Sequence, residues 1–287
     1  MSDAQQTVSA AAIRVDLLLA DVDGTLVTQE KLLTPAAVKA AEALRRAGVA
    51  LAITSGRPPR GMSMLVEPLG LTTPIAGFNG GAFVEPDLTI IEGHDLDRDT
   101  AREALQLIRG RGLDAWLYTA DAWFILDKDA PHVAREAWTV KFEPNVVKDF
   151  ADADLGRAVK IVGISDDGAK VEDCERAAQS TLNGRASAAR SQPYYLDITH
   201  PLANKGEVVA WLSRRLKIPR ERIATIGDMP NDVLMFAASG YSIAMAQASE
   251  AVRAKATTTT DSNEADGFAN AVRHLLARQE QATGEGR

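Results

Sequence analysis

Two aspartates stand close together where an apolar run ends, in the segment "DLLLADVDGTL". Asp21 closes the run and Asp23 follows two residues later. Alternate residues that leave a strand can point the same way, so the two carboxylates repel each other unless a cation or a proton lies between them. Magnesium prefers oxygen ligands of this kind, and an aspartate can attack phosphorus to form an aspartyl-phosphate. Asp-Gly is also common in surface turns, but the apolar run before it favours a functional site.

Three further segments place polar groups at a strand end or a helix start. The segment "SGR", from Ser55 to Arg57, offers a hydroxyl and backbone amides that suit an anion, although an ordinary helix cap has the same residues. Lys205 begins a predicted helix, where its charge opposes the helix dipole unless an anion binds nearby; a solvated lysine is the alternative. The segment "GDMPND" follows the apolar run "RIATI" and contributes three oxygen-bearing side chains, Asp228, Asn231 and Asp232.

The joint occurrence of the four segments is more informative than any one of them. Together they supply a nucleophile, an acid, a hydroxyl, a cation and metal ligands, which are the groups that phosphoryl transfer requires. In open α/β sheets, ligands bind outside the carboxyl ends of the strands. The secondary structure must therefore bring these segments to one edge of a sheet.

Strands alternate with helices at both ends of the chain but not in its middle. In residues 13–84, "VDLLLA" and "VALAIT" are apolar strands typical of a parallel sheet covered on both faces. Between them lies a helix with Thr34 as its N-cap. The alternation returns in residues 201–287, whereas residues 85–200 combine helices with half-exposed strands in an α+β pattern.

We therefore predict an α/β, Rossmann-like core with a mostly parallel sheet flanked by helices, built from residues 13–84 and 201–287. An inserted α+β domain, residues 85–200, interrupts this core. The polar terminal segments 1–12 and 279–287 are predicted to be disordered.

Composition excludes several classes of function. A net charge of −7 makes an extended anionic partner such as a nucleic acid unsuitable. Cys174 is the single cysteine, which rules out an intrachain disulfide or thiolate metal cluster, favours a reducing compartment, and is expected to be a buried small residue. No apolar run approaches the ~18 residues that span a bilayer, and the N-terminal segment does not have the pattern of a signal peptide. We expect a cytoplasmic protein without a membrane partner, either a monomer or a small homo-oligomer.

The motifs and their order resemble those of the haloacid dehalogenase-like (HAD) superfamily, and in particular its Cof-type branch with a type IIB cap. "DVDGTL", "TSGR", "NKG" and "GDMPND" are similar to the four motifs of that superfamily. "FNGGAFV" and "SIAMAQASEAVRAKA" also resemble this branch, so the likeness extends over nearly the whole chain. The family implies a Mg²⁺-dependent phosphatase for small phosphorylated metabolites, sugar phosphates or similar. The inserted region would be a cap that closes over the substrate.

The resemblance also implies a role for each motif residue. Asp21 would be the nucleophile, and Asp23 would protonate the leaving oxygen and then activate water. Ser55 and Lys205 would hold the phosphoryl oxygens. The Mg²⁺ ligands would come from Asp21, the backbone carbonyl of Asp23, Asp228 and Asp232. Further substrate contacts are expected from Gly24, Thr25, Gly56, Arg57, Asn79 and Asn231.

Two positions depart from the pattern of this branch. Ser55 replaces the usual threonine and keeps the hydroxyl, whereas Gln247 replaces an asparagine and leaves the role of its loop open. Two other functions are compatible with the motifs: a sugar-phosphate phosphomutase, and a non-hydrolytic phospho-acceptor module. Asp23 argues against the acceptor module, because a second aspartate placed as an acid and base favours turnover.

The histidines and the aromatic residues carry less information about function. The four histidines, at positions 94, 132, 200 and 274, show no ligand spacing and are expected on the surface or in the cap. Alternation in "DAWLYTADAWFIL" places some aromatic side chains in the core of the cap, while one or two could face the substrate. The aromatic residues concerned are Trp116, Tyr118, Trp123 and Phe124. The identity of the substrate does not follow from the sequence.

Overall fold

The structure, a computed structural model, describes residues 13–284 as two sheets with their helices. The strands, in chain order, are β1 (Leu17–Asp21), β2 (Ala50–Thr54), β3 (Ile75–Gly77), β4 (Ala82–Val84), β5 (Ile90–Gly93), β6 (Asp114–Tyr118), β7 (Trp123–Ile125), β8 (Asn145–Val146), β9 (Lys160–Ile164), β10 (Ser187–Gln192), β11 (Tyr195–Thr199), β12 (Ile223–Gly227), β13 (Tyr241–Ala244) and β14 (Thr258–Thr259). The α-helices are α1 (Pro35–Arg46), α2 (Val66–Leu69), α3 (Arg98–Gly110), α4 (Val133–Val140), α5 (Asp152–Leu155), α6 (Gly168–Thr181), α7 (Lys205–Leu216), α8 (Val233–Ala238), α9 (Glu250–Arg253) and α10 (Gly267–Gly284). Short 3₁₀ helices cover Pro59–Leu65, Arg220–Arg222, Pro230–Asp232 and Asn263–Ala265.

The larger sheet is the predicted core, and β1 lies at its centre. Its strand order is β14-β13-β12-β1-β2-β3-β4-β5. The strands from β14 to β3 pair in parallel, whereas β4 and β5 are antiparallel additions at one edge. Successive residues of β1 face opposite sides: Leu18 packs with α1 and α10, and Leu19 packs with α7 and α8. Both faces of the sheet are therefore covered, as the apolar strands predicted.

The first helix begins where the sequence indicated. The Thr34 hydroxyl accepts a hydrogen bond from the Ala37 amide at 3.1 Å, and Pro35 occupies the first helical position. Buried alanines on one side of α1 allow the helix to pack closely against the sheet. The two strands that α1 connects, β1 and β2, pair in parallel in that sheet.

The smaller sheet belongs to the inserted cap. Its strand order is β10-β11-β9-β6-β7-β8. Helices α3 and α6 cover one face, whereas the other face carries Trp116, Tyr118 and Trp123 and packs against Phe78 of the core. Phe124 points the other way and packs with the α3 and α6 side. The predicted aromatic hairpin is confirmed as the antiparallel pair β6 and β7.

The structure corrects two predicted boundaries. The core was expected to end at residue 84, but β5 pairs with β4 and extends the core sheet to Gly93. Residues 279–287 were expected to be disordered, but α10 continues to Gly284, and the Gln279 side chain accepts a hydrogen bond from the Val15 amide at 3.0 Å. Residues 1–12 and 285–287 lie outside the described part of the chain.

Two histidines that are far apart in the sequence meet where the chain crosses between core and cap. The outgoing crossing follows β5 and contains His94, and the returning crossing follows β11 and contains His200. Their rings stack with centroids 5.5 Å apart. This contact was not predictable from the sequence, because nothing in either segment indicates that the two crossings run side by side.

The reactivity of the Cys174 thiol reports on how tightly the cap core is packed. The side chain is fully buried within the cluster between α3, α6 and the cap sheet, and burial raises the pKa of its thiol to about 11. We expect no reaction of the native protein with a thiol reagent at pH 8, and full reaction in denaturant, because the thiolate is the reactive form. Ser180→Cys, on an exposed position of the same helix, is the matched control and should react at once. Fast labelling of native Cys174 would show that the cap core opens.

Candidate active site

Three of the four motifs begin where neighbouring core strands end. β1 pairs in parallel with β12 on one side and with β2 on the other. Asp21 is the last residue of β1, Ser55 follows β2, and Asp228 follows β12. Because parallel strands end at the same edge of a sheet, the fold brings these side chains together as predicted.

The fourth motif adds a buried ammonium group. Lys205 is the first residue of α7, whose N-cap Asn204 accepts a hydrogen bond from the Glu207 amide at 3.0 Å. The Lys205 side chain is 1% exposed, and its Nζ donates to Oδ1 of Asp21 and to Oδ1 of Asp232, each at 2.5 Å. Burial by itself lowers the pKa of Lys205, but the two carboxylates outweigh it and raise that pKa above its ordinary value.

The carboxylates in this cluster outnumber the positive charges. Oxygens of Asp21, Asp228 and Asp232 lie within 4.8 Å of one another. Burial and mutual repulsion raise the pKa of Asp21 well above its ordinary range, and they raise the pKa of Asp228 to about 6. When all three are ionised, a single ammonium leaves two negative charges unbalanced in a buried place, which is costly.

The same cluster has the properties of a divalent-cation site. Oδ2 of Asp21 and Oδ1 of Asp228 are enclosed and have no hydrogen-bond donor among the residues that the structure describes. Carboxylate oxygens are the ligands that Mg²⁺ prefers, and a double positive charge would balance the cluster. The residues present therefore fit a bound divalent cation, with Asp21 and Asp228 supplying the open oxygens.

Asp232 was predicted among the metal ligands; it lies within this carboxylate group, and both of its oxygens also accept hydrogen bonds from the protein. Oδ1 accepts from Lys205, while Oδ2 accepts from the amides of Asp228 and Met229, both at 2.8 Å. A side chain on Gly227 would collide with Asp232, since an added Cβ would lie 2.4 Å from its carboxyl carbon. Asp232 thus fixes both the ammonium of Lys205 and the loop that carries Asp228.

Asp23 lies apart from this cluster, in its own pair of ionic contacts. Arg57 donates to both of its oxygens, from Nε at 2.7 Å and from Nη2 at 2.6 Å, and Lys31 donates at 2.7 Å. Although burial raises the pKa of Asp23, the two cations prevail and lower it to about 2. In this conformation Asp23 is an ionised carboxylate.

The remaining predicted residues contact one another, and Arg57 pairs with Asp23. We predicted that Arg57 contacts the substrate, but its nitrogens are engaged by Asp23 and by the Gly61 carbonyl oxygen. The Ser55 hydroxyl donates to Asp23 at 3.4 Å and accepts from the Arg57 amide. Gly56 lies next to Asn79, whose side chain accepts a hydrogen bond from Asn231 at 3.3 Å.

Gly24 and Gln247 together hold the loop after β1. Gly24 has φ +80°, and an added Cβ would lie 2.4 Å from Oδ2 of Asp228, so only glycine fits there. The Gln247 side chain donates to the Gly24 carbonyl oxygen at 2.6 Å and to Asp228 at 3.4 Å. Gln247 therefore links the last loop of the core to the carboxylate cluster. Thr25 is buried beside this loop, and its hydroxyl has no partner among the described residues.

Lys31 contacts Asp23 in this site but was not predicted from the sequence. It lies in an irregular segment after the first motif and has φ +60°. Irregular segments carry no periodicity, so only its short separation from Asp23, eight residues, could have suggested the contact.

Comparison with known proteins identifies the family. The sequence profile of the haloacid dehalogenase-like hydrolases matches residues 18–272. A curated relative from Bacillus subtilis, the 5-amino-6-(5-phospho-D-ribitylamino)uracil phosphatase YitU, is 29% identical over 271 residues, which cover 91% of this chain and 97% of that protein. The chain therefore belongs to the haloacid dehalogenase-like hydrolase family. Because its curated relatives are phosphatases, the protein is a phosphoric monoester hydrolase, as the motifs indicated.

Solved structures share the same fold. A haloacid dehalogenase-like hydrolase from Bacteroides thetaiotaomicron has a TM-score of 0.84 at 24% identity, covering 91% of this chain and 100% of that one. A sugar phosphatase described as HAD subclass IIB has a TM-score of 0.78 at 20% identity, covering 91% and 99%. These likenesses confirm the predicted fold class.

Asp228→Asn tests the charge balance of the cluster. A carboxylate whose pKa is raised in the folded state lowers stability as the pH rises above its ordinary, unfolded-state pKa, and the loss is complete above the folded-state pKa, here about 6. In EDTA at pH 8 we expect the variant to be more stable than the wild type by about 1–3 kcal/mol. Mg²⁺ should raise the melting temperature of the wild type and have little effect on the variant.

Differential scanning calorimetry with and without MgCl₂ measures both effects. Glu42→Gln, at an exposed carboxylate paired with Arg46, is the matched control and should respond to Mg²⁺ like the wild type. A destabilised Asp228→Asn protein with a normal response to Mg²⁺ would show that Asp228 is not part of a metal site.

Proposed function

We propose that the protein is a Mg²⁺-dependent phosphatase that hydrolyses a small phosphorylated metabolite through an aspartyl-phosphate on Asp21. The observation that supports this best is the buried cluster of three carboxylates around Lys205, with open oxygens on Asp21 and Asp228. When bound there, Mg²⁺ would balance the cluster and orient the phosphoryl group.

We further propose that the enzyme works in the cytoplasm, consistent with its single unpaired cysteine. Among residues 13–284, no helix has the length and apolar character needed to cross a bilayer.

Asp21 forms the covalent intermediate. A carboxylate oxygen of Asp21 attacks phosphorus, and the bond from phosphorus to the alcohol oxygen breaks. Lys205 holds the Asp21 carboxylate in place through its 2.5 Å contact with Oδ1. Asn204 and Asp232 in turn fix Lys205, so the nucleophile is oriented before the substrate binds.

Asp23 transfers the protons at both stages. It gives a proton to the departing alcohol oxygen, and it later accepts one from the water that attacks the aspartyl-phosphate. The first role requires protonation of Asp23, which its pairing with Arg57 and Lys31 opposes. We propose that the dianionic phosphate of the substrate attracts Arg57, which weakens this pairing and raises the pKa of Asp23 when the acid is needed. This would also give Arg57 the substrate contact expected from the sequence.

A phosphate-release screen tests the proposed function. The panel comprises sugar phosphates, nucleotides, flavin mononucleotide and pyridoxal phosphate, each assayed with Mg²⁺ and with excess EDTA. We expect the enzyme to release inorganic phosphate from at least one metabolite in the Mg²⁺ assay and from none in the EDTA assay. Asp21→Asn should abolish turnover and any acid-trapped phosphoenzyme, while Glu42→Gln should behave like the wild type. Full turnover in EDTA after confirmed metal removal, or by Asp21→Asn, would overturn the scheme. Transfer to a second sugar without release of phosphate would indicate a phosphomutase.

Asp23→Asn tests the proton-transfer role. General acid–base assistance contributes roughly 10²–10⁴-fold, so we expect a loss of that size in the phosphorylation rate on a sugar phosphate. The loss should be smaller on p-nitrophenyl phosphate, whose leaving group hardly needs a proton. Stopped-flow measurement of the phosphorylation step on both substrates provides the comparison. Equal losses on the two substrates would count against Asp23 as the general acid.

A further inference from the structure

Aromatic rings connect the two crossings between core and cap to the helix that begins with Lys205. His200 of the returning crossing stacks on His94 of the outgoing one, with ring centroids 5.5 Å apart. The Phe83 ring lies edge-on to His94 at 6.1 Å, and it stacks on Trp211 of α7 at 4.0 Å. We call these rings, His200, His94, Phe83 and Trp211, the crossing column. The column joins the chain just before α7 to the middle of the same helix.

The core holds most of the crossing column in place. The His94 amide donates to the Gly81 carbonyl oxygen at 2.8 Å, and Phe83 is buried in β4. The Trp211 indole nitrogen donates to Glu92, the charged residue of β5, at 2.8 Å. The column is therefore a fixed support, on which His200 is the part that the returning crossing contributes.

The residues between His200 and Lys205 form a tight turn that starts at the His200 side chain. Nδ1 of His200 accepts a hydrogen bond from the Leu202 amide at 3.1 Å, and the His200 carbonyl oxygen accepts one from the Ala203 amide at 2.9 Å. The Asn204 amide donates to the Leu202 carbonyl oxygen, and the Asn204 side chain caps α7. The position of the His200 ring is thus passed to the start of α7 by consecutive hydrogen bonds.

The hydrogen bond to Leu202 fixes the charge state of His200. A neutral imidazole has one donor and one acceptor nitrogen, whereas an imidazolium has two donors. Because Nδ1 accepts from the Leu202 amide, it carries no proton, and His200 is neutral in this arrangement. Burial and the neighbouring His94 lower the pKa of His200, which favours the same state. Protonation of His200 would remove this hydrogen bond.

The charged groups around the histidine pair act on His94 more than on His200. Asp95 interacts electrostatically with His94, and Arg157 interacts with the same carboxylate. Among the described residues, the group that acts electrostatically on His200 is His94 itself, while the Lys205 ammonium is directed to carboxylates of the active site. A first proton is therefore favoured on His94, beside Asp95, and a second proton on His200 would bring two positive rings together.

We propose that His200, supported by His94, is a positioning residue for Lys205, and that its protonation makes turnover sensitive to pH from outside the active site. Neutral His200 holds the turn before α7 on the crossing column, so that Lys205 reaches Asp21. Protonation breaks the bond to Leu202 and the ring stack, which releases the start of α7 and displaces the ammonium. A displacement of about 1 Å can lower a rate by about 10²-fold. This assignment rests on the proposed function, in which Lys205 orients the nucleophile.

Two substitutions of His200 separate the contacts of its ring. His200→Asn keeps an acceptor near the place of Nδ1 and cannot take up a proton, whereas His200→Phe keeps a ring and has no acceptor. On p-nitrophenyl phosphate with saturating Mg²⁺ at pH 8, we expect His200→Phe to lower kcat about 10-fold with little change in KM. His200→Asn should lower kcat by only about 3-fold, through loss of the stack. Between pH 8 and pH 5, the ratio of its kcat to that of the wild type should rise about 3-fold or more.

The ratio of variant to wild type at each pH is the informative quantity, because the pH dependence of Asp23, the metal site and the substrate is common to both proteins. His274→Asn, at an exposed position of α10, is the matched control and should keep a constant ratio. A wild-type kcat for His200→Phe at pH 8 would overturn the positioning role. A ratio for His200→Asn that does not change between pH 8 and pH 5 would overturn the role of protonation.

Calorimetry provides a readout that does not depend on turnover. Because the pKa of His200 is lowered in the folded protein, the wild type should lose stability as the pH falls below the ordinary value of about 6.5. His200→Asn should lose less, and equal losses in the two proteins would overturn the role of protonation. The expected stability difference with a wild-type kcat for His200→Phe would show a structural contact and overturn the positioning role. Failure of the wild type to release phosphate from p-nitrophenyl phosphate and from every ester of the screen would overturn the proposed function itself.

Discussion

The excess of negative charge around Lys205 is the constraint on which the active site depends. Three carboxylates surround one buried ammonium, because the parallel strands β1 and β12 end, and the helix α7 begins, at the same edge of the sheet. A cluster of this kind would destabilise an ordinary core. Uncharged hydrogen-bond donors hold the cluster in place. The amides of Asp228 and Met229 donate to Asp232, and the Gln247 side chain donates to the Gly24 carbonyl oxygen. The surrounding structure is therefore rigid where the charges are least balanced.

Asp21 and Asp23 have identical side chains, but their positions shift the pKa values of the two carboxyl groups in opposite directions. The first is the last residue of a central strand and shares its surroundings with other carboxylates, whereas the second lies two residues farther and meets two cations. Their pKa values move in opposite directions before any ligand binds. A cation at the first site and a phosphate that competes for Arg57 at the second would reverse both shifts, so the ligands themselves would prepare the nucleophile and the acid.

Much of the fold and the centre of the site could be predicted from the sequence, because strong local signals define them. Apolar runs ending in Asp21 and Asp228 predicted both the strands and their shared edge, and Thr34 with Pro35 marked the start of a helix. The boundary at residue 84 was wrong, since β5 has two exposed residues at its end and no apolar run to mark it. The partners of Arg57 and the contact of Lys31 were not predictable, because each joins segments whose proximity exists only in the folded chain.

Because the returning crossing between cap and core is short, the two crossings differ in how many inserted or deleted residues they tolerate. β11 ends at Thr199 and α7 begins with Lys205, so the chain leaves the cap sheet and, six residues later, supplies the central charge of the site. The outgoing crossing after β5 leads only to α3, whose start lies on the far side of the cap. An insertion at the outgoing crossing would leave the position of Lys205 unchanged, whereas a change of length in the returning crossing would act directly on the start of α7.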